Sequence, residues 1–131
     1  MEPSGRTYIN FIDIEPAEYY VAIHHRNHVP IVSSTLHDSS LTSNIYDFSA
    51  SSGAAMGVSQ LKSMGNHFAL YAGNYNSSGA NEYADFEAWK DKSSVPNQYL
   101  PEDGDGNGVV NNLDYNLWKK NEFQTGNNIF Q

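Results

Sequence analysis

Residues 74–90 and 103–119 are two copies of one pattern, aligned at a constant offset of 29 positions with no gap between them. Gly79 matches Gly108, Asp85 matches Asp114, Phe86 matches Tyr115, and the pairs Trp89-Lys90 and Trp118-Lys119 coincide. Self-similarity of this kind marks one supersecondary unit used twice. A unit this short cannot bury its own apolar side. If the first copy is kept for its helix rather than for an ion, Phe86 and Trp89 are expected to pack against Tyr115 and Trp118.

The second copy carries the clearer chemistry. Asp103, Asp105 and Asn107 stand at alternate positions, Gly108 follows, Val109 offers its carbonyl, Asn111 comes two residues later, and Asp114 closes the loop. Oxygen donors at the first, third, fifth, seventh, ninth and twelfth positions, with Gly at the sixth, are the spacing of an EF-hand loop. A calcium ion takes six to eight oxygens at ~2.3–2.6 Å, so a short segment must wrap around it. Glycine supplies the backbone reversal. Val110 at the eighth position is the apolar anchor, and Asp114 is expected to begin a helix lined by Leu113, Leu117 and Trp118. The first copy offers Asn74, Asn76, Ser78, the Ala80 carbonyl, Glu82 and Asp85, of which two are charged. Asn81 stands where the apolar anchor belongs, which weakens contact between the loops. This copy reads either as a weaker calcium loop or as one kept for its helix. Asn76-Ser77-Ser78 is also a glycosylation sequon. One Ca²⁺ is expected in the second loop, with a second ion open in the first.

Composition narrows the function. The chain has 131 residues, no Cys, and 15 acidic against 7 basic side chains. The length suits one domain, or one small domain with an appended module, and the missing cysteines exclude disulfides, cysteine-bound zinc and iron–sulfur clusters. A net charge of -8 opposes nucleic-acid binding, which needs a positive footprint. No apolar run approaches the ~20 residues of a membrane-spanning helix, and the first residues show no signal-peptide pattern.

Upstream, the chain reads as β. Tyr8, Phe11, Ile12 and Ile14 form an apolar stretch ending at Glu15-Pro16, and Tyr19–Ile23 is aromatic and β-branched. In a strand, Tyr19, Val21, Ile23 and His25 share one face, and Tyr20, Ala22, His24 and Arg26 the other. Val29–Ser33 and Phe68–Ala72 are further strands, with loops and brief edges over 37–66. The division is a β-sandwich-like module at 1–72, a paired loop-helix segment at 73–124, and a tail at 125–131 whose Ile129-Phe130 either docks onto another chain or frays. The fold class expected is mainly β with a small α part. His24, His25 and His28 lack a zinc signature; His25 and His28 are expected to bond backbone groups at a strand end while Arg26 faces a carboxylate. No nucleophile elbow or phosphate loop is present, so an enzyme is not expected.

The loop closing in Asp114 and running straight into one helix resembles a dockerin-type loop-helix. That resemblance implies two loops paired in an F-hand arrangement and, in such modules, docking to a cohesin-like receptor through the helix faces after Asp85 and Asp114. The His25-Arg26-Asn27-His28 segment, with Phe68–Gly73 leading into the loops, is similar to large extracellular proteins of Bacteroidetes-type bacteria, in which a β module precedes a dockerin-like pair. Together the resemblances span roughly residues 9–121. Members of that group carry a further strand-rich segment before the equivalent of Tyr8, so the β module is expected to have open edges that pair with another chain. The first loop lacks the leading Asp of dockerins. The expectation is a non-enzymatic, calcium-stabilised assembly module of a cell-surface or filament protein. The alternatives are receptor docking and carbohydrate binding through Tyr75 or Tyr83.

Overall fold

The computed structural model describes residues 7–41, 45–94 and 99–127. Its elements in chain order are β1 (Glu18–Tyr19), β2 (Ala22–Ile23), β3 (Ile31–Val32), β4 (His37–Asp38), a 3-10 turn (Ser52–Ala54), β5 (Lys62–Ser63), β6 (Phe68–Ala69), α1 (Tyr83–Lys92) and α2 (Asn112–Lys120). The strands pair antiparallel as β1 with β4, β2 with β3, and β5 with β6.

The first two pairs form one interrupted hairpin. Ile23 faces Ile31 and Ala22 faces Val32, but Tyr19 faces His37 and Glu18 faces Asp38, a register that steps by two residues. Ser33 causes the step. It is fully buried, its hydroxyl accepts the Val21 N–H at 3.0 Å and donates to the Thr35 carbonyl at 2.8 Å. A side chain thus takes a backbone bond that would otherwise continue the ladder. The expected unbroken strand over Tyr19–Ile23 is therefore two short ones. The expected strand over Tyr8–Ile14 does not form either. Among the described residues these have no ladder partner, and Tyr8 and Ile12 are 82% and 84% exposed.

Ile31 lies at the centre of the β core with Ala54, Ala55 and Leu61, covered by Ile23, Tyr46, Phe48, Phe68 and Leu70. Beyond β6 the chain continues antiparallel to residues 27–29. Val29 N–H donates to the Tyr71 carbonyl at 2.8 Å, His28 bridges Ala72, and Gly73 N–H donates to the Asn27 carbonyl at 2.9 Å. This strip delivers the chain into the first loop.

Both helices open with reciprocal capping boxes, Glu82 with Asp85 and Asn111 with Asp114, which satisfy backbone N–H groups that have no partner in the first turn. Capping moves the start of α2 to Asn112, two residues earlier than expected, with Asp114 inside the first turn. The side chains meeting α1 are then Tyr115 and Trp118, one turn apart. Phe86 lies 5.5 Å from Trp118 and Trp89 lies 5.1 Å from Tyr115, ring centre to ring centre. Leu113 falls outside this seam and is 56% exposed. Residues 125–127 are bonded on both sides: Thr125 bridges Ala80, Gly126 N–H donates to the Gly79 carbonyl, and Asn127 N–H reaches the Pro30 carbonyl. Ile129 and Phe130 lie outside the described residues. No helix among the described residues is long and apolar enough to cross a membrane.

Candidate metal centre

Loop two, residues 103–114, folds around its own carboxylates. Asp103 accepts the N–H of Asn107 at 3.0 Å on one oxygen and that of Gly108 at 2.9 Å on the other. Asp105 also accepts from Asn107 N–H, and Asn107 in turn accepts from Val109 N–H at 2.9 Å. Asp114 accepts from Asp105 N–H at 3.2 Å and Asn111 N–H at 2.7 Å. Asn111 donates from its amide to the Val109 carbonyl at 3.0 Å while accepting from Leu113 N–H. The side chains of Asp103, Asp105, Asn107, Asn111 and Asp114 thus each bond a backbone group within the loop. Gly108 sits at φ +87°, a conformation L side chains rarely adopt.

Carboxylate oxygens of Asp103, Asp105 and Asp114 lie within 4.8 Å of one another. Asp103 and Asp114 are fully buried, whereas Asp105 is exposed. Among the described residues no lysine or arginine pairs with any of the three. Buried carboxylates are costly unless a cation or several hydrogen bonds compensate them. A divalent cation fits this donor set, and the hard oxygen donors suit Ca²⁺ or Mg²⁺ better than a thiolate- or imidazole-seeking metal. Asp103, Asp105 and Asp114 could hold such an ion, with Asn107, Val109 and Asn111 in the same loop supplying neutral oxygens.

Loop one repeats the scaffold with fewer charges. Asp85 accepts from Asn76 N–H at 2.9 Å and Glu82 N–H at 2.8 Å, matching Asp114 bond for bond. Burial raises the Asp85 pKa, opposed by those N–H groups. Ser78 N–H donates to Asn76, and the Ser78 hydroxyl donates to the Ala80 carbonyl. Asn74, the counterpart of Asp103, is fully buried and donates to the His28 carbonyl at 3.3 Å, while its amide oxygen has no partner. Glu82 is exposed. Among the described residues no trio of acids gathers here.

The two units are joined by exchanged bonds. The Trp89 indole donates to the Asn111 carbonyl at 2.8 Å, and the equivalent Trp118 indole donates to the Glu82 carbonyl at 3.0 Å. Ser94 N–H donates to the Val110 carbonyl, and Phe123 N–H donates to the Asn81 carbonyl. Among the described bridges none links Asn81 to Val110. Instead the Asn81 amide donates to the Ala72 and Asn121 carbonyls at 2.8 and 3.0 Å. Tyr75 completes the contact. It is 3% exposed and donates to the Asp114 carbonyl at 2.7 Å. Opposite it is Gly104, where a Cβ would lie 2.7 Å from the Tyr75 hydroxyl. Burial, then the charges of Asp114, Asp85, Asp105 and Glu102, pushes that hydroxyl far above its usual pKa. So Tyr75 is closed to a sugar ring, whereas Tyr83 is 64% exposed.

The histidine segment links the β body to both loops. Arg26 donates to the Tyr99 carbonyl at 2.7 Å, not to a carboxylate as expected. Asn27 is buried and donates from its amide to the Asp103 carbonyl at 3.1 Å. His25 and His28 approach Nδ1 to Nδ1 at 2.9 Å, and His28 Nδ1 lies 2.7 Å from the Asn27 amide oxygen. That oxygen can only accept, which assigns a proton to His28 Nδ1. Burial, helped by His25, lowers the His28 pKa to about 4. Sequence reasoning missed Asn27 because its partner is 76 residues away. It also missed the seating of Tyr75, although the exchange of Tyr75 for Gly104 between the copies was its visible signal. No protein-family model, curated protein or solved structure matches this chain.

Proposed function

We propose that this chain is a non-enzymatic, calcium-stabilised structural module that works outside the cell, with Ca²⁺ held in loop two and, more weakly, in loop one. The observation that carries this reading is the convergence of Asp103, Asp105 and Asp114 without a basic partner among the described residues. Extracellular modules bind calcium at roughly 10⁻⁴–10⁻³ M, which suits a permanent ion rather than a switch. The inequality of the loops argues the same way. An ion bound only by the folded loop adds about 2.7 kcal/mol of stability at a hundredfold excess over its Kd.

The β body, in this reading, is a sandwich-like unit that associates with neighbouring chains through its open edges. Its sheets have two strands each, and Tyr8, Ile9, Phe11 and Ile12 are exposed apolar residues. Titration calorimetry with Ca²⁺ and sedimentation in Ca²⁺ and in chelator test the two parts. Saturable binding and calcium-supported self-association are expected. Absence of heat at millimolar Ca²⁺ overturns the metal reading. A monomer in Ca²⁺ that forms a tight pair only with a cohesin-like receptor replaces assembly by docking.

A further inference from the structure

We infer that Asn27 is a positioning residue for the metal loop, fixing from the β body the residue that supplies the first ligand. This rests on the calcium reading of loop two. Three consecutive residues reach the entrances of both loops. The Arg26 guanidinium holds the Tyr99 carbonyl, the Asn27 amide holds the Asp103 carbonyl, and the His28 carbonyl accepts the Asn74 amide. Asn74 and Asp103 are equivalent positions of the repeat, so one three-residue segment contacts the first residue of each copy, Asp103 through a side chain and Asn74 through a main-chain carbonyl.

Asn27 is itself fixed at both ends. It is 2% exposed, its side-chain oxygen accepts from His28, and its main-chain carbonyl accepts from Gly73 N–H at 2.9 Å. Asp103 N–H is held locally by the Leu100 carbonyl, whereas its carbonyl is held from a distance by Asn27. These two bonds set the peptide planes on either side of the Asp103 Cα, and so the direction of its carboxylate. Partners of this kind orient metal ligands, and their loss costs roughly 10–100-fold in affinity.

The test compares the wild-type chain with Asn27→Ala, Asn27→Asp and Val29→Ala. Calcium affinity is read by calorimetry, and loop occupancy by terbium luminescence, because the Tyr99 ring lies against Gly108 and can sensitise the bound ion. Asn27→Ala and Asn27→Asp, which both lack the amide donor, are expected to bind roughly 10–100-fold more weakly. Val29→Ala, which removes buried apolar bulk without touching a loop bond, is expected to lower stability with affinity kept within about twofold. In metal-free protein, hydrogen exchange at the Asn107 and Gly108 amides should quicken in both Asn27 variants, while the Asn76 and Glu82 amides of loop one keep their protection. Unchanged exchange at Asn107 and Gly108, or wild-type affinity in a folded Asn27→Asp chain, overturns the inference. A wild-type chain that binds no Ca²⁺ overturns the calcium reading instead, and the exchange measurement still decides whether Asn27 holds the loop. Should Asn27→Ala fail to fold, Asn27→Asp, which keeps the shape of the native asparagine, supplies the same comparison.

Discussion

Acid should loosen this protein through His28. In the folded chain the His28 pKa falls from 6.5 to about 4 because the ring is buried and His25 faces it. The unfolded chain therefore takes up a proton at a pH where the folded chain refuses one. Stability is complete above pH 6.5, declines as the pH falls toward 4, and levels off below it. Each pKa unit is worth ~1.36 kcal/mol, so the loss is about 2–3 kcal/mol once the partial exposure of the ring is allowed for. Urea unfolding in calcium-free buffer between pH 7.5 and 4.5 measures it, with His28→Asn as the reference because its amide can still donate to Asn27. The wild-type curve should fall relative to the variant by that amount. Parallel curves across the window would show that His28 is not held neutral, and the reasoning would fail.

Two further outcomes are expected. Trp118→Phe and Trp89→Phe remove the indole donors from the Glu82 and Asn111 carbonyls and should each cost about 1–2 kcal/mol in chemical denaturation; no loss in either would refute the exchanged-bond account. Gly126→Ala would place a Cβ 2.3 Å from the Pro30 carbonyl oxygen, a backbone atom with little room to yield, so a loss of about 1–3 kcal/mol is expected in thermal melts. A wild-type melting temperature would mean that residues 125–127 are not docked where described.

The paired loop-helix units were legible because their information is local. Asp103 to Asp114 lie within one turn of chain, and Trp89 and Trp118 announce by repetition that two helices meet. The β body was less legible. Whether Tyr8–Ile14 pairs depends on a partner elsewhere, which no run of apolar residues encodes. The break between β1 and β2 comes from Ser33, a residue whose composition suggests a turn but whose hydroxyl ends a ladder only because it is fully buried. Arg26 looked like half of an ion pair and instead binds a main-chain carbonyl. Asn81 looked like a defect in its loop, yet its amide adds a hydrogen bond to each of two carbonyls, those of Ala72 and Asn121, which a valine could not make.

The crossing of the indoles has a consequence for how such a chain is assembled. Because Trp89 donates to the second copy and Trp118 to the first, each copy takes one of its donors from the other. A solitary unit would therefore keep only the helix N–H bond to its Glu82 or Asn111 carbonyl and leave a tryptophan idle, a matched plug and socket, and the simplest molecule able to fill both is an identical twin related by a two-fold axis. Tandem duplication replaces that dimer by one chain. Within one chain the halves need not match: copy two gathers three acids, while in copy one Asn74 bonds the His28 carbonyl of the β body.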